Sequence, residues 1–169
     1  MRIVGIAGAI GSGKSELSRA LARELDAERL SFGDFVRREA EARGVEPTRE
    51  NLQQLGEQLI DELGAPEFVR RVLTERPPAD LLVVDGVRHV AVDEALRKIA
   101  AQYVLVLVKV DDDTRRRRLA EREGHDVDLA ALDQHSTERD VPLLRERAAT
   151  VVDGTDSAAA VERVRELLS

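Results

Sequence analysis

The chain has 169 residues, a formal net charge of −7 and no cysteine. That length suits one domain with a real core and is short for two. The acidic balance argues against nonspecific nucleic-acid binding, and the missing thiols exclude disulfides and thiolate metal sites. No apolar run approaches the roughly 20 residues that cross a bilayer, and the apolar N-terminus is too short for a signal peptide. Three phenylalanines and one tyrosine offer little on which single-stranded nucleic acid can stack. The expectation is a soluble cytoplasmic protein, monomer or homodimer, without nucleic-acid or membrane partners.

In chain order, Ile3, Val4, Ile6 and Ala7 read as a short buried strand, and Leu17, Ala20, Leu21 and Leu25 recur at helical spacing behind it. Arg29-Leu30-Ser31-Phe32 is a candidate second strand. Gly33-Asp34 then turns into a helix carrying Phe35, Val36 and Ala40 and ending at Gly44. Pro47-Thr48 opens the next helix, with Thr48 as N-cap and a stripe of Leu52, Leu55, Leu59 and Leu63. Phe68, Val69, Val72 and Leu73 belong to a further helix that stops at Pro77-Pro78, so residues 34–78 form a helical insertion.

Leu81 to Val84 is a continuous apolar run ending in Asp85-Gly86, as expected of a buried parallel strand. A helix from about Ala91 to Ala100, a strand from Tyr103 to Val110 and an arginine-rich helix from Asp112 to Arg122 follow. Residues 123–140 are polar, with weak helical character, and Val141 to Arg147 is a short helix. Thr150-Val151-Val152 is the last strand, and Asp153-Gly154-Thr155 turns into the final helix. Strands alternating with helices predict an α/β three-layer fold with a parallel sheet of about five strands.

Between the first strand and helix, Gly8-Ala9-Ile10-Gly11-Ser12-Gly13-Lys14-Ser15 fits the phosphate-binding pattern G-x-x-x-x-G-K-[ST] at every fixed position. Glycines let backbone N–H groups turn inward around phosphate oxygens, and the following helix presents its positive end to the same anion. Lys14 then reaches the β- and γ-phosphates, and the Ser15 hydroxyl is a ligand for Mg²⁺. Asp85 lies at the carboxyl edge of a central strand, where open parallel sheets bind ligands. It is either the second Mg²⁺ anchor or a turn-forming Asp before Gly.

Arg88 leaves the same edge and either meets an acceptor phosphate or makes a surface ion pair. Asp34 can cap its helix, and Arg37 lies one turn on. On the arginine-rich helix only Arg115, Arg118 and Arg122 share a stripe. Arg139 and Arg145 are candidates to complete a hold on the transferring group. His89, His125 and His135 show no metal-ligand spacing and no partner Ser or Cys, and read as polar side chains at the surface rather than catalytic groups.

These segments resemble known enzymes. Ser31-Phe32-Gly33-Asp34-Phe35-Val36-Arg37 is similar to the Gly-Asp-x-x-Arg segment of adenylate kinase-type nucleoside monophosphate kinases, where the arginine grips the acceptor's phosphate. Arg118-Leu119-Ala120-Glu121-Arg122 resembles the start of their lid, whose first arginine packs on the donor base and whose second contacts its phosphates. That likeness implies a short lid at about 118–145 and a loop at Gly154 passing over the adenine. GAIGSGKS, SFGDFVRREAEARGVEPTRENL, VVDGVR, ERD and VVDGT resemble a dephospho-CoA kinase-like group over most of the chain. The D-x-D element expected of dephospho-CoA kinase is reduced here to Asp34, with Phe32 two positions earlier.

The resemblance implies a P-loop kinase of one domain, with a core at 1–33 and 79–169 and an acceptor-binding insertion at 34–78. Its substrates are ATP with Mg²⁺ and a small nucleotide acceptor. Lys14 and Arg122 are the catalytic cations, with Asp34, Arg37, Arg88 and Arg139 around the acceptor. A monophosphate acceptor needs no strong base, whereas a hydroxyl acceptor needs one, and Asp34 is its candidate. A nucleotide-dependent switch with slow hydrolysis is the reading from another class.

Overall fold

The computed structural model describes residues 1–75, 79–134 and 138–169. The expected helix end at Pro77-Pro78, and His135, lie outside them. Among the described residues five strands form one parallel sheet: β1 (Arg2–Ala7), β2 (Glu28–Ser31), β3 (Leu81–Val87), β4 (Gln102–Lys109) and β5 (Thr150–Asp153). Their order is β2-β3-β1-β4-β5. β1 therefore runs down the middle, paired with β3 on one side and β4 on the other.

The period-two alternation of strand side chains sorts the core onto two faces. Ile3, Leu82, Val84, Leu105 and Leu107 join one cluster with Phe35, Val69, Leu96 and Leu144. These come from α2 (Phe32–Ala42), α4 (Ala65–Thr74), α5 (Val90–Ile99) and α8 (Val141–Arg147). Val4, Ile6, Val83, Val104 and Val106 join the other with Leu17, Leu21, Val161 and Val164, from α1 (Lys14–Glu24) and α9 (Ser157–Leu168). Both faces of the sheet are covered, which is why β1, β3 and β4 read as unbroken apolar runs.

Two expectations at the sheet edge need correction. No turn separates β2 from α2: the strand passes directly into a helix that begins at Phe32, two residues before Asp34. Asp34 is not its cap either. Ser31 is, its Oγ accepting from the Asp34 amide at 3.2 Å, because a β-region residue just before the first turn is placed to satisfy an unpaired N–H. Likewise Asp85 is not in a turn. β3 continues to Val87 through a bulge: Ile6 pairs with Asp85 and Ala7 with Val87, leaving Gly86 extra at φ +87°.

Thr48 caps α3 (Arg49–Leu63) as expected, accepting from the Asn51 amide. α6 (Asp112–Glu123) is capped by Asp111, and α7 (Leu129–Asp133) supplies the weak helical character foreseen after it.

Candidate functional site

The loop between β1 and α1 is shaped by glycines at positive φ: Gly8 at +147°, Gly11 at +82° and Gly13 at +93°. Gly13 is the N-cap of α1 and has no side chain to satisfy the helix's first amides, so that end stays available to an anion. The Ser15 side chain is exposed at its mouth, while Ser12 Oγ is buried without a partner.

Lys14 lies back along the loop, its Nζ donating to the Ala9 carbonyl at 3.0 Å. It is only 7% exposed. Burial, then the nearby Arg88 guanidinium, push its ammonium down to about 7, against the opposing pull of Glu138 and Asp85; Arg122 adds to the depression. The structure thus brings the expected Lys14, Arg88, Asp85 and Arg122 into one electrostatic neighbourhood. Bound phosphates would complete it, since an anion restores the charge that burial disfavours.

Asp85, on β3, is buried, its side chain 4% exposed. Its Oδ2 accepts from Arg29 Nη2 at 2.8 Å, and its Oδ1 is buried with no partner. Among the described residues no three acidic or histidine side chains gather as a metal site. An unpaired carboxylate oxygen and an exposed serine hydroxyl nevertheless fit Mg²⁺, which typically takes one or two protein ligands plus phosphate oxygens.

Arg29 was missed by the sequence reading. From β2 it also donates Nε to Ser18 Oγ at 2.8 Å and approaches Asp34 Oδ2 at 3.5 Å. Asp34 Oδ1 accepts from Arg37 Nη1 at 2.8 Å. Asp34 and Arg37 therefore lie together on the first turns of α2, both substantially exposed. Arg29, Leu30, Ser31, Asp34, Arg38 and Glu75 line a cleft of about 360 Å³.

The segment after β4 lies on the loop. Arg115 is buried, donating Nε to the Ile10 carbonyl at 3.1 Å and Nη1 to Asp133 at 3.0 Å. Ile10, Leu119 and Leu129 form a small apolar cluster beneath them. Arg118 Nη2 donates to the Gly154 carbonyl at 3.1 Å, and its Nη1 is buried without a partner, within 2.8 Å of where a Cβ on Gly13 would stand. A Cβ on Gly154 would in turn strike the Ser12 carbonyl. Arg118, Gly154 and the loop are thus in direct contact.

Arg122 is exposed beside Glu123, and Arg139 and Arg145 are exposed. His125 is exposed and His89 half-buried. Two further residues escaped the sequence reading. Glu138, 2% exposed at its side chain, pairs with Arg88 and accepts from the Ile10 amide at 3.2 Å. Arg49, at the start of α3, pairs with Glu123 and feels Arg122 and Arg88. Neither has a local sequence signal, because each is defined by a partner 50 or more residues away.

A family model described as an AAA domain matches residues 4–160. This chain belongs to the AAA-domain family. The match runs from β1 into α9 and takes in the P-loop, Asp85, Arg88, α6 and Gly154. A UPF0200 protein of Methanothrix thermoacetophila is 38% identical over 122 residues, covering 72% of this chain and 66% of that protein. The chain thus matches just under two thirds of that relative's length. Among solved structures, a protein of Chloroflexus aurantiacus aligns over 99% of this chain and 98% of its own, with a TM-score of 0.65 and 22% identity. A shikimate kinase of Bacteroides thetaiotaomicron aligns over 99% and 98%, with a TM-score of 0.59 and 19% identity. At such identities the likeness shows the fold alone, a five-stranded parallel sheet with helices on both faces.

Proposed function

We propose that this AAA-domain protein transfers the γ-phosphoryl group of ATP, with Mg²⁺, to a nucleoside monophosphate. The observation that carries this reading is the convergence of cations from separate elements on one phosphate loop. Lys14 of α1 feels Arg88 after β3 and Arg122 of α6, and Arg49 of α3 feels the same two arginines. Arg88 and Arg49 rest on the carboxylates of Glu138 and Glu123, and a donor and an acceptor phosphate together would give each of these cations an anionic partner on the substrates. When bound, the metal would be held by Ser15 and Asp85 and would neutralise charge developing on the transferred group. The remaining work is positioning, done by Lys14, Arg118 and Arg122 on the donor, and by Arg37, Arg88 and Arg139 on the acceptor. Residues 118–145 serve as the lid.

The state of Asp34 supports a phosphate acceptor over a hydroxyl one. Its carboxylate already accepts from Arg37 and faces Arg29. A carboxylate already occupied by guanidinium groups is not free to orient a hydroxyl substrate. The kinase of a hydroxyl acceptor remains the second reading, favoured by the fold neighbour named for shikimate. The deciding experiment measures ADP release from ATP and Mg²⁺ against ribo- and deoxyribonucleoside monophosphates, dephospho-CoA and shikimate. Release stimulated by a monophosphate is the expected result. Stimulation by a hydroxyl compound alone favours the second reading, and release indifferent to every acceptor makes the protein a slow ATPase or switch.

A further inference from the structure

Glu138 is the one carboxylate in contact with the phosphate loop's backbone among the described residues. It arrives from a distant part of the chain, beyond α7, and is buried. One oxygen accepts the Ile10 amide at 3.2 Å and the other pairs with Arg88. Its charge also acts on Lys14, which burial and Arg88 would otherwise depress further. A backbone N–H of a P-loop, a guanidinium and the loop lysine are the donors a phosphoryl group uses. Here a side-chain anion holds the first two directly and acts electrostatically on the third.

Its place along the donor follows from the same contacts. The lysine of such a loop serves the β- and γ-phosphates, while the amides at the helix start serve the inner ones. Glu138 neighbours Lys14 and Arg88, and it takes an amide from the third residue of the loop rather than from the start of α1. It therefore stands at the γ end, between the donor and the arginine proposed for the acceptor. We infer that Glu138 is an internal stand-in for the transferring phosphoryl group and sets the preference between nucleoside tri- and diphosphates. A diphosphate fits beneath it and leaves its contacts intact. A triphosphate must displace the carboxylate and take over the Ile10 amide, Arg88 and the neighbourhood of Lys14.

This rests on the ATP-dependent reading above and deepens it. The arrangement satisfies the buried cations while no γ-phosphate is present, at the expense of triphosphate affinity. It also favours departure of the phosphorylated acceptor once transfer has turned ATP into ADP, because the carboxylate can return to its partners.

The test is calorimetric titration of the full chain and of Glu138→Gln, with Mg²⁺, using a non-hydrolysable ATP analogue and, separately, ADP. Gln keeps the shape and an acceptor oxygen for Ile10 but removes the charge. The ATP analogue should bind Glu138→Gln at least about tenfold more tightly than wild type, the scale of a lost charge-assisted competitor. ADP affinity should change by less than about twofold, since a ligand indifferent to the two positions of Glu138 shifts neither. Equal or weaker binding of the ATP analogue overturns the inference, as does an equal gain for ADP. If wild type binds neither nucleotide, the proposed function falls and the inference with it; if wild type binds both, only the inference is at stake.

Should the variant not fold, a crystal structure of wild type with the ATP analogue decides. A γ-phosphate oxygen on the Ile10 amide, with Glu138 displaced, supports the inference. Glu138 still on that amide refutes it.

Discussion

Replacing Lys14 by Met should abolish phosphoryl transfer and yet make the empty protein more stable. The ammonium is buried beside Arg88, which lowers it from the ordinary lysine value of 10.5 to about 7. At about 1.4 kcal/mol per pH unit, that depression corresponds to a penalty of up to about 5 kcal/mol when the group is charged. Met occupies similar space without charge. It forfeits the Nζ hydrogen bond to Ala9, worth about 1 kcal/mol, so the gain lies below that ceiling.

The sign of the pH dependence follows from proton binding. Below pH 7 both folded and unfolded chains hold the proton, and the whole penalty is present. Between about 7 and 10.5 the unfolded chain keeps a proton that the folded one has lost, so wild-type stability from this group rises with pH. Above 10.5 the penalty is gone. Urea unfolding in chloride buffers free of phosphate at pH 6, 8 and 10 should show Lys14→Met ahead by at least about 1 kcal/mol at pH 6. That is a rise of about 2–4 °C in Tm for a chain of this size, and the gap should close toward pH 10. A variant less stable than wild type at pH 6, or a gap that does not change with pH, would refute the reasoning.

Three further outcomes are expected. Arg37→Ala should lower kcat/KM for the acceptor by about 10- to 150-fold, the scale of a charge-assisted phosphate contact, while donor titration shows nearly unchanged ATP affinity; a large loss of donor affinity would move Arg37 out of the acceptor site. Asp34→Asn should cost less than about 100-fold in kcat, because its carboxylate is engaged by arginines; a much larger loss with normal Tm and ATP binding would favour a hydroxyl acceptor. Gly154→Ala places a methyl group against the Ser12 carbonyl and about 3 Å from Val108 and Val110, so it should cost about 1–3 kcal/mol and weaken nucleotide binding, both read from thermal melts with and without ATP; an unchanged melt would show that the β5–α9 turn can move off the loop.

The P-loop, the alternation of strands and helices and the position of Asp85 were legible in the sequence because each is written locally. Eight consecutive residues specify the loop, period-two and period-3.6 patterns specify elements, and four apolar residues leading to a carboxylate mark a strand edge. The five strands expected are the five found, although Ser31 displaced Asp34 as a cap and the bulge at Gly86 carried β3 past its expected end. Such errors are at most three residues wide, since a boundary depends on a single hydrogen bond.

What only the tertiary structure decided is which charges meet. An arginine looks the same in sequence whether solvated, like Arg116, or buried against the Ile10 carbonyl, like Arg115. Arg29 reaches Asp85 because β2 and β3 pair in parallel. Glu138 reaches Ile10 across 128 residues because α6 and its apolar cluster lay the following segment on the loop. Electrostatic energy depends on distance and burial, and neither is a property of sequence spacing. The anion-binding chemistry is therefore readable from eight residues, while the set of charges that tunes it exists only once the sheet has brought distant segments to one edge.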